Sequence, residues 1–216
     1  MNIEFILSKL PFLLQGSIMT IQLTVVTLII GTFLGIILAL LKISKIKIIN
    51  LLATFYTWVF RGTPLILQLF FFYYALPILG ITFSPFTAAV VGLSLNCGAY
   101  MAEIIRGGIL AIDKGQFEAS KALGYTYFQT MTKIVLPQTI RIILPPVGNE
   151  FIAMLKDTSL VSTIAMVELM RTATQISSAT FKYTEMLFSA AVLYLVMTTL
   201  FTSAFSALEK KLAVYV

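Results

Sequence analysis

The feature that most constrains this chain is a run of 24 residues, 18–41, without one charged side chain. A helix needs about 20 apolar residues to cross the hydrocarbon core of a bilayer. A second uncharged run covers residues 186–208 and is 23 long. The run at 18–41 exceeds a secretory leader's apolar core, and Lys42, Lys45 and Lys47 follow it directly, so it reads as a retained span rather than a cleaved signal. Composition agrees. Of 216 residues, 59% are apolar and 11% charged, against about 45–50% and 25% in ordinary soluble domains. So little charge cannot cover a soluble globule of this size. A soluble enzyme, a disordered chain and a disulfide-stapled secreted domain are excluded. The expected class is an all-α polytopic membrane protein, one transmembrane domain over 1–216 with its core at about 16–208.

Three further spans lie between the two uncharged runs. The second covers residues 48–81 and is interrupted by Arg61-Gly62-Thr63-Pro64. Pro64 lacks an N–H and disfavours helix at Thr63, so a break is expected there, at mid-membrane. The third runs from Pro85 to about Arg106. The fourth covers about 144–166 and contains Pro145, Pro146, Glu150, Lys156 and Asp157. Basic residues set the orientation. Lys42, Lys45 and Lys47 follow span one, Lys114, Lys121, Lys133 and Arg141 separate spans three and four, and Lys210 and Lys211 follow span five. The connection at 80–84 carries no charge, and Arg171 and Lys182 in the last connection are balanced by Glu168 and Glu185. By the positive-inside rule the N-terminus is expected outside and the C-terminus in the cytoplasm. The net charge of +6 is read as this bias, not as a nucleic-acid surface. The chain has no His and one cysteine, Cys97, so His catalysis, His-ligated metals and an internal disulfide are excluded, and no metal site is expected.

The most polar stretch, about 113–137, reads as two short cytoplasmic helices. Asp113 with Gln116 and Thr126 with Gln129 have capping-box spacing. Gly124 suits a left-handed helix end, and Pro137 should close the second helix. Phe117, Ala119, Ala122 and Leu123 supply an apolar face. Such an element is either a linker or a helix pair that docks in a groove of a partner protein.

Glu118-Ala119-Ser120-Lys121-Ala122-Leu123-Gly124, followed after nine residues by Ile134-Val135-Leu136-Pro137, resembles the EAA motif of ABC-importer permeases. Ser120 replaces the pattern's second Ala and is still small. Arg61-Gly62-Thr63-Pro64-Leu65, the stretch from Asn96 to Gly108, and Lys156-Asp157-Thr158-Ser159-Leu160 resemble the polar amino-acid branch, the permeases for histidine, glutamine, arginine and similar substrates. The resemblance implies the type I importer permease fold, with five transmembrane helices and cytoplasmic coupling helices, in a bacterial inner membrane. It implies a second permease chain (a homodimer is expected), two ATP-binding cassette subunits and an extracytoplasmic amino-acid-binding protein. Gln116, Glu118, Ala119, Ser120, Ala122, Leu123 and Gly124 are the expected ATPase contacts. The chain has no Gly-x-x-x-x-Gly-Lys-Ser/Thr loop, so it is not expected to be an enzyme. No cofactor is expected here, and ATP and Mg belong to the partner subunit.

The spans carry Arg61, Glu103, Arg106, Glu150, Lys156 and Asp157. Each costs about 2.5–3.5 kcal/mol at the centre of a spanning helix on translocon scales. They should therefore face protein or water. Asn96, Tyr100 and Glu103 share one face of span three, and Glu150 and Asp157 one face of span four. They surround either an alternating-access substrate pocket or a set of interhelical pairs, with Glu103–Arg106 the foremost pair. If Arg106 snorkels to the cytoplasmic boundary, three acids face two bases. That surplus carboxylate favours a cationic substrate such as arginine, lysine or histidine. Glu150 and Asp157 would receive its cationic groups, and Arg61, Thr63, Thr158 and Ser159 its carboxylate, with Asn96, Tyr100 and Glu103 completing the lining. A glutamine or glutamate permease is the alternative. A stand-alone ion-coupled carrier and a membrane enzyme are the readings from other classes. Gly31 and Gly35 form a GxxxG pair that serves either packing within the subunit or a dimer seam.

Overall fold

The structure, a computed structural model, describes residues 2–212, and these are helical with short connections. Helix α1 (Ile3–Ile43) begins 15 residues before the uncharged run. At 1.5 Å per residue it is about 60 Å long, twice the roughly 30 Å of a hydrocarbon core. Asn2 caps it by accepting from the Phe5 N–H at 3.1 Å. Helix α2 (Lys47–Gly62) and helix α3 (Leu65–Phe70) follow. A π-helical turn at Phe71–Ala75 and a 3-10 turn at Leu76–Leu79 complete the second span, which bends by 104° at the Thr63-Pro64 break. Helix α4 (Pro85–Leu110) is the third span and is capped by Ser84.

Helices α5 (Lys114–Ala122) and α6 (Tyr127–Thr130) form the expected polar pair. The Thr126–Gln129 capping box is complete. The Asp113–Gln116 box is only half made: Asp113 accepts from the Gly115 N–H at 2.7 Å, while the Gln116 side chain turns to Gln138. Pro137 does not close the second helix. A π-helical turn at Met131–Val135 leads directly into α7 (Leu136–Asp157), with Pro137 in its first turn. The π-helical turn shifts the backbone bonding just before Pro137, and the Gln138 side chain donates to the Ile134 carbonyl at 3.0 Å, so the helix runs on past the missing proline N–H. The fourth span thus starts at Leu136, continues through Pro145 and Pro146, and ends in a 3-10 turn at Thr158–Ile164. Helices α8 (Leu169–Thr180) and α9 (Tyr183–Leu212) complete the chain. Helices α1, α4 and α9 are long and apolar enough to cross a bilayer, and the bent pair adds a fourth. The remaining expected span, the fourth, falls on α7, whose polar side chains lower its apolarity.

Close packing sets the arrangement. A Cβ on Gly31 would lie 2.6 Å from Cys97 Sγ, and one on Gly35 would lie 2.5 Å from Met101 Cβ. The GxxxG pair is therefore the seam between α1 and α4 within one subunit, and its register makes the two helices parallel. Gly108 meets Ile143 of α7, and Gly148 meets Phe205 of α9. Leu23, Leu69, Leu93, Cys97, Met154 and Ile164 form one fully buried core across α1, α3, α4 and α7. Leu13, Leu155, Leu169 and Met186 form a second, between α1, α7, α8 and α9.

Glu168 departs from its expected place as a balancing loop charge. It is fully buried, caps α8 and accepts from the N–H groups of Met170 (2.9 Å) and Arg171 (2.7 Å). Thr20 Oγ1 of α1 (3.2 Å) and Tyr194 OH of α9 (2.7 Å) donate to it as well. Burial pushes this carboxyl above the usual glutamate range, and the donated hydrogen bonds oppose that shift.

Candidate functional site

The break at Thr63-Pro64 frees carbonyls that a continuous helix would have bonded, and within a bilayer such groups need protein partners. Gln68, one turn beyond Pro64, supplies them. Its Nε2 donates to the Phe60 carbonyl at 2.8 Å, the Thr63 carbonyl at 3.1 Å and Thr63 Oγ1 at 2.8 Å. Asn96 of α4 joins this knot, its Nδ2 donating to the Phe60 carbonyl at 3.1 Å and to Gln68 Oε1 at 3.0 Å. Tyr56 OH ties α2 to α4 through the Leu95 carbonyl at 2.8 Å. The break is thus a rigid corner. It holds Arg61, the last charged residue of α2, beside α4.

Arg61 lies over Tyr100, its guanidinium carbon 5.3 Å from the ring centroid, a cation–π geometry. Its side chain is 44% exposed and its Nη1 is 3.9 Å from Glu103 Oε1. Glu103 is already occupied: Arg106 binds its Oε2 at 2.9 Å, and Lys42 binds its Oε1. Glu103–Arg106 is therefore a structural pair of the expected kind, with Lys42 as an added partner.

Glu150 of α7 is half-buried and stands within Coulombic range of Asp157, Arg61 and Cys97. Among the described residues neither Glu150 nor Asp157 has an ion-pair partner within 4 Å. Lys156 is exposed and Asp157 and Ser159 are half-buried. One partly exposed guanidinium thus lies within Coulombic range of one carboxylate, Glu150, that has no ion pair among the described residues.

Arg61 lies on Tyr100, and Glu150 stands within Coulombic range of Arg61 and of Asp157. Three expected lining residues are engaged elsewhere. Asn96 is 5% exposed, with its amide given to the helix break. Thr158 is completely buried and its hydroxyl donates to the Leu155 carbonyl at 2.7 Å. Thr63 Oγ1 donates to the Val59 carbonyl at 2.8 Å and accepts from Gln68. Each satisfies a backbone or amide group inside the protein, which is where a small polar side chain next to a helix irregularity is held most strongly.

Two contributors escaped the sequence reading. Lys42 directly follows an apolar run and so reads as a loop charge in the sequence. Gln68 carries no charge, although its position one turn after Pro64 was the available signal.

On the α5–α6 element, Gln116, Glu118, Ala119, Ala122, Leu123 and Gly124 are exposed. Ser120 is not available as a contact. It is 1% exposed, and its hydroxyl donates to the Gln116 carbonyl. Phe117 packs beside it against the core of Ala39, Ile105, Ile109, Ile112 and Val135. Leu123, Tyr127 and Phe128 are each at least 75% exposed, so the apolar residues of the tip point outward. Gly124 has φ +80°, the left-handed conformation expected of the turn.

The described residues thus form an all-helical bundle with a broken polar span and an exposed capped helix pair. Residues 31–214 match the family of binding-protein-dependent transport system inner membrane components, and the chain belongs to that family. It is 46% identical over 215 residues to the arginine transport system permease protein ArtQ of Bacillus subtilis, covering 98% of each chain. It is 40% identical over 207 residues to a putative glutamine transport system permease protein GlnP of Rickettsia felis, covering 95% of each. A solved amino acid ABC transporter with histidines superposes with a TM-score of 0.93 at 42% identity, covering 98% of this chain and 99% of that one. The fold is that of ABC-importer permeases. The self-contained ion-coupled carrier is thereby set aside.

Proposed function

We propose that this chain is the permease through which a basic amino acid (arginine, lysine or histidine) crosses the membrane by alternating access. The observation that carries the reading is the pair of carboxylates on one helix, Glu150 and Asp157, that have no ion-pair partner within 4 Å among the described residues, with the partly exposed Arg61 within Coulombic range of Glu150. A zwitterion with a cationic side chain complements this set. Its carboxylate meets Arg61, with Ser159 beside it, its cationic groups meet Glu150 and Asp157, and Tyr100 forms a wall. Thr63, Asn96 and Thr158 shape the surrounding backbone, and Glu103 holds the cationic cluster at one end.

The complex contains two such permease chains, a homodimer, with two separate ATPase subunits on the α5–α6 tips and an external binding protein. ATP and Mg act on the ATPase subunits. The N-terminus lies outside and the C-terminus in the cytoplasm. The placement of lysines supports this orientation, and the parallel register of α1 and α4 requires one return crossing between them.

Radiolabelled arginine binding to the detergent-solubilised permease–ATPase complex tests the pocket. Glu150→Gln is expected to weaken it at least tenfold with little change in thermal stability. Unchanged arginine binding by that variant would falsify the assignment. Glutamine is the second reading, favoured by likeness to the Rickettsia protein. It predicts that glutamine outcompetes arginine and that Glu150→Gln leaves glutamine binding intact.

A further inference from the structure

Glu103 has three cations around it, and they do not share it equally. Lys42 Nζ binds Oε1, and Arg106 binds Oε2 at 2.9 Å through both Nε and Nη2. Arg61 approaches the same Oε1 that Lys42 holds, but stops at 3.9 Å, beyond the roughly 2.7–3.2 Å of a hydrogen bond. Lys42 is well placed to keep that oxygen. Its side chain is 9% exposed and its Nζ also donates to Thr57 Oγ1 at 2.7 Å, a hydroxyl on a residue that is 2% exposed. Its backbone carbonyl accepts from Asn50 Nδ2, fixing the helix end that carries it.

From this geometry we infer that Lys42 is a specificity-positioning residue: by holding Glu103 Oε1 it keeps Arg61 free to take the carboxylate of the transported amino acid. The inference rests on the reading of Arg61 as the carboxylate receptor. The argument is one of competition. Arg61 has two acidic neighbours, Glu103 at 3.9 Å and Glu150 within Coulombic range. With Lys42 and Arg106 in place, Glu103 is more than neutralised, and those two cations repel a third. Arg61 therefore stays over Tyr100, with an exposed guanidinium. Without Lys42, Oε1 of the partly exposed Glu103 loses its direct cation, and Arg106 on Oε2 is the one direct pair left. With Arg106 committed to Oε2, Arg61 is the cation that stands 3.9 Å from the vacated Oε1, and it needs to move only about 1 Å to form a direct pair. The α-carboxylate would lose its partner although every residue of the pocket is intact.

The test compares arginine with agmatine, its decarboxylated analogue, in binding to the purified permease–ATPase complex. Glutamine and its decarboxylated amine serve in the same way if glutamine is the substrate. Wild type is expected to prefer the amino acid over the amine. Lys42→Met should weaken amino-acid binding about tenfold and leave amine binding unchanged, collapsing the preference. Lys42→Gln, which retains a polar contact for Thr57, should do the same if the Met variant fails to fold. Lys42→Arg should retain the preference, and Glu103→Gln added to Lys42→Met should restore it, because a neutral amide no longer captures Arg61. Equal weakening of both ligands, an unchanged preference, or no rescue by Glu103→Gln overturns the inference. Arg61→Gln separates the two readings. If it leaves the preference intact, the carboxylate role of Arg61 falls; if it removes the preference and Lys42→Met does not, only the role of Lys42 falls.

Discussion

Single side chains in this protein stabilise places where the backbone departs from regular helix. Gln68 is the clearest case: it and Asn96 bond the Phe60 and Thr63 carbonyls at the break. Gln68→Leu, of similar size, takes that donor from the Thr63 carbonyl and leaves the Phe60 carbonyl to Asn96, and should destabilise the protein by about 1–3 kcal/mol, read as a lower unfolding midpoint in detergent. Glu168 does the same at the start of α8 while linking α1 and α9 through Thr20 and Tyr194. Glu168→Leu removes a cap, takes the acceptor from the half-buried Tyr194 hydroxyl and leaves Thr20 to the Gly16 carbonyl, and should cost about 2–4 kcal/mol by the same measurement. The break at Pro64 was legible, because a proline acts on its own neighbours. The residues that satisfy it were not, since Asn96 is 28 positions from Gln68 and nothing local marks the pair. Likewise Glu168, next to Arg171 in sequence, reads as half of a surface pair until α1 and α9 close over it.

Among the elements, glycines decide which helices meet. Gly35 receives Met101, and a methyl at that position would lie 2.5 Å from Met101 Cβ. Gly35→Ala should therefore force α1 from α4 and destabilise by about 1–3 kcal/mol, whereas Gly62→Ala, which meets nothing within 4 Å, should not; thermal melts of the two variants give the comparison. The GxxxG spacing was visible in the sequence, but its partner was not, because small residues advertise close approach without naming what approaches. Helix boundaries divide similarly. The Thr126–Gln129 cap is local and was readable. The passage of the chain through Pro137 into α7 depends on a π-helical turn that no local pattern announced.

At the scale of the whole molecule, the bundle separates a polar interior from an exposed coupling tip. Leu123, Tyr127 and Phe128 point outward around Gly124, whose positive φ no β-carbon residue adopts without strain. Leu123→Asp should leave the permease folded but reduce co-purification of the ATPase subunit several-fold, as should Gly124→Val by tilting the tip; retention of full ATPase association in both would remove the tip as the docking point. The sequence by itself determined that the chain is helical and membrane-embedded, which end of each span carries lysines, and that charges lie at mid-span, because hydrocarbon length, helix period and charge insertion energies act along the chain. Only the tertiary structure decided which charges are bound to one another. It turned Lys42 inward to Glu103, left Glu150 and Asp157 without ion pairs, and buried Thr158 and Ser120. The reason is that an ion pair depends on distances of a few ångströms between helices far apart in sequence, and helix packing alone sets those distances.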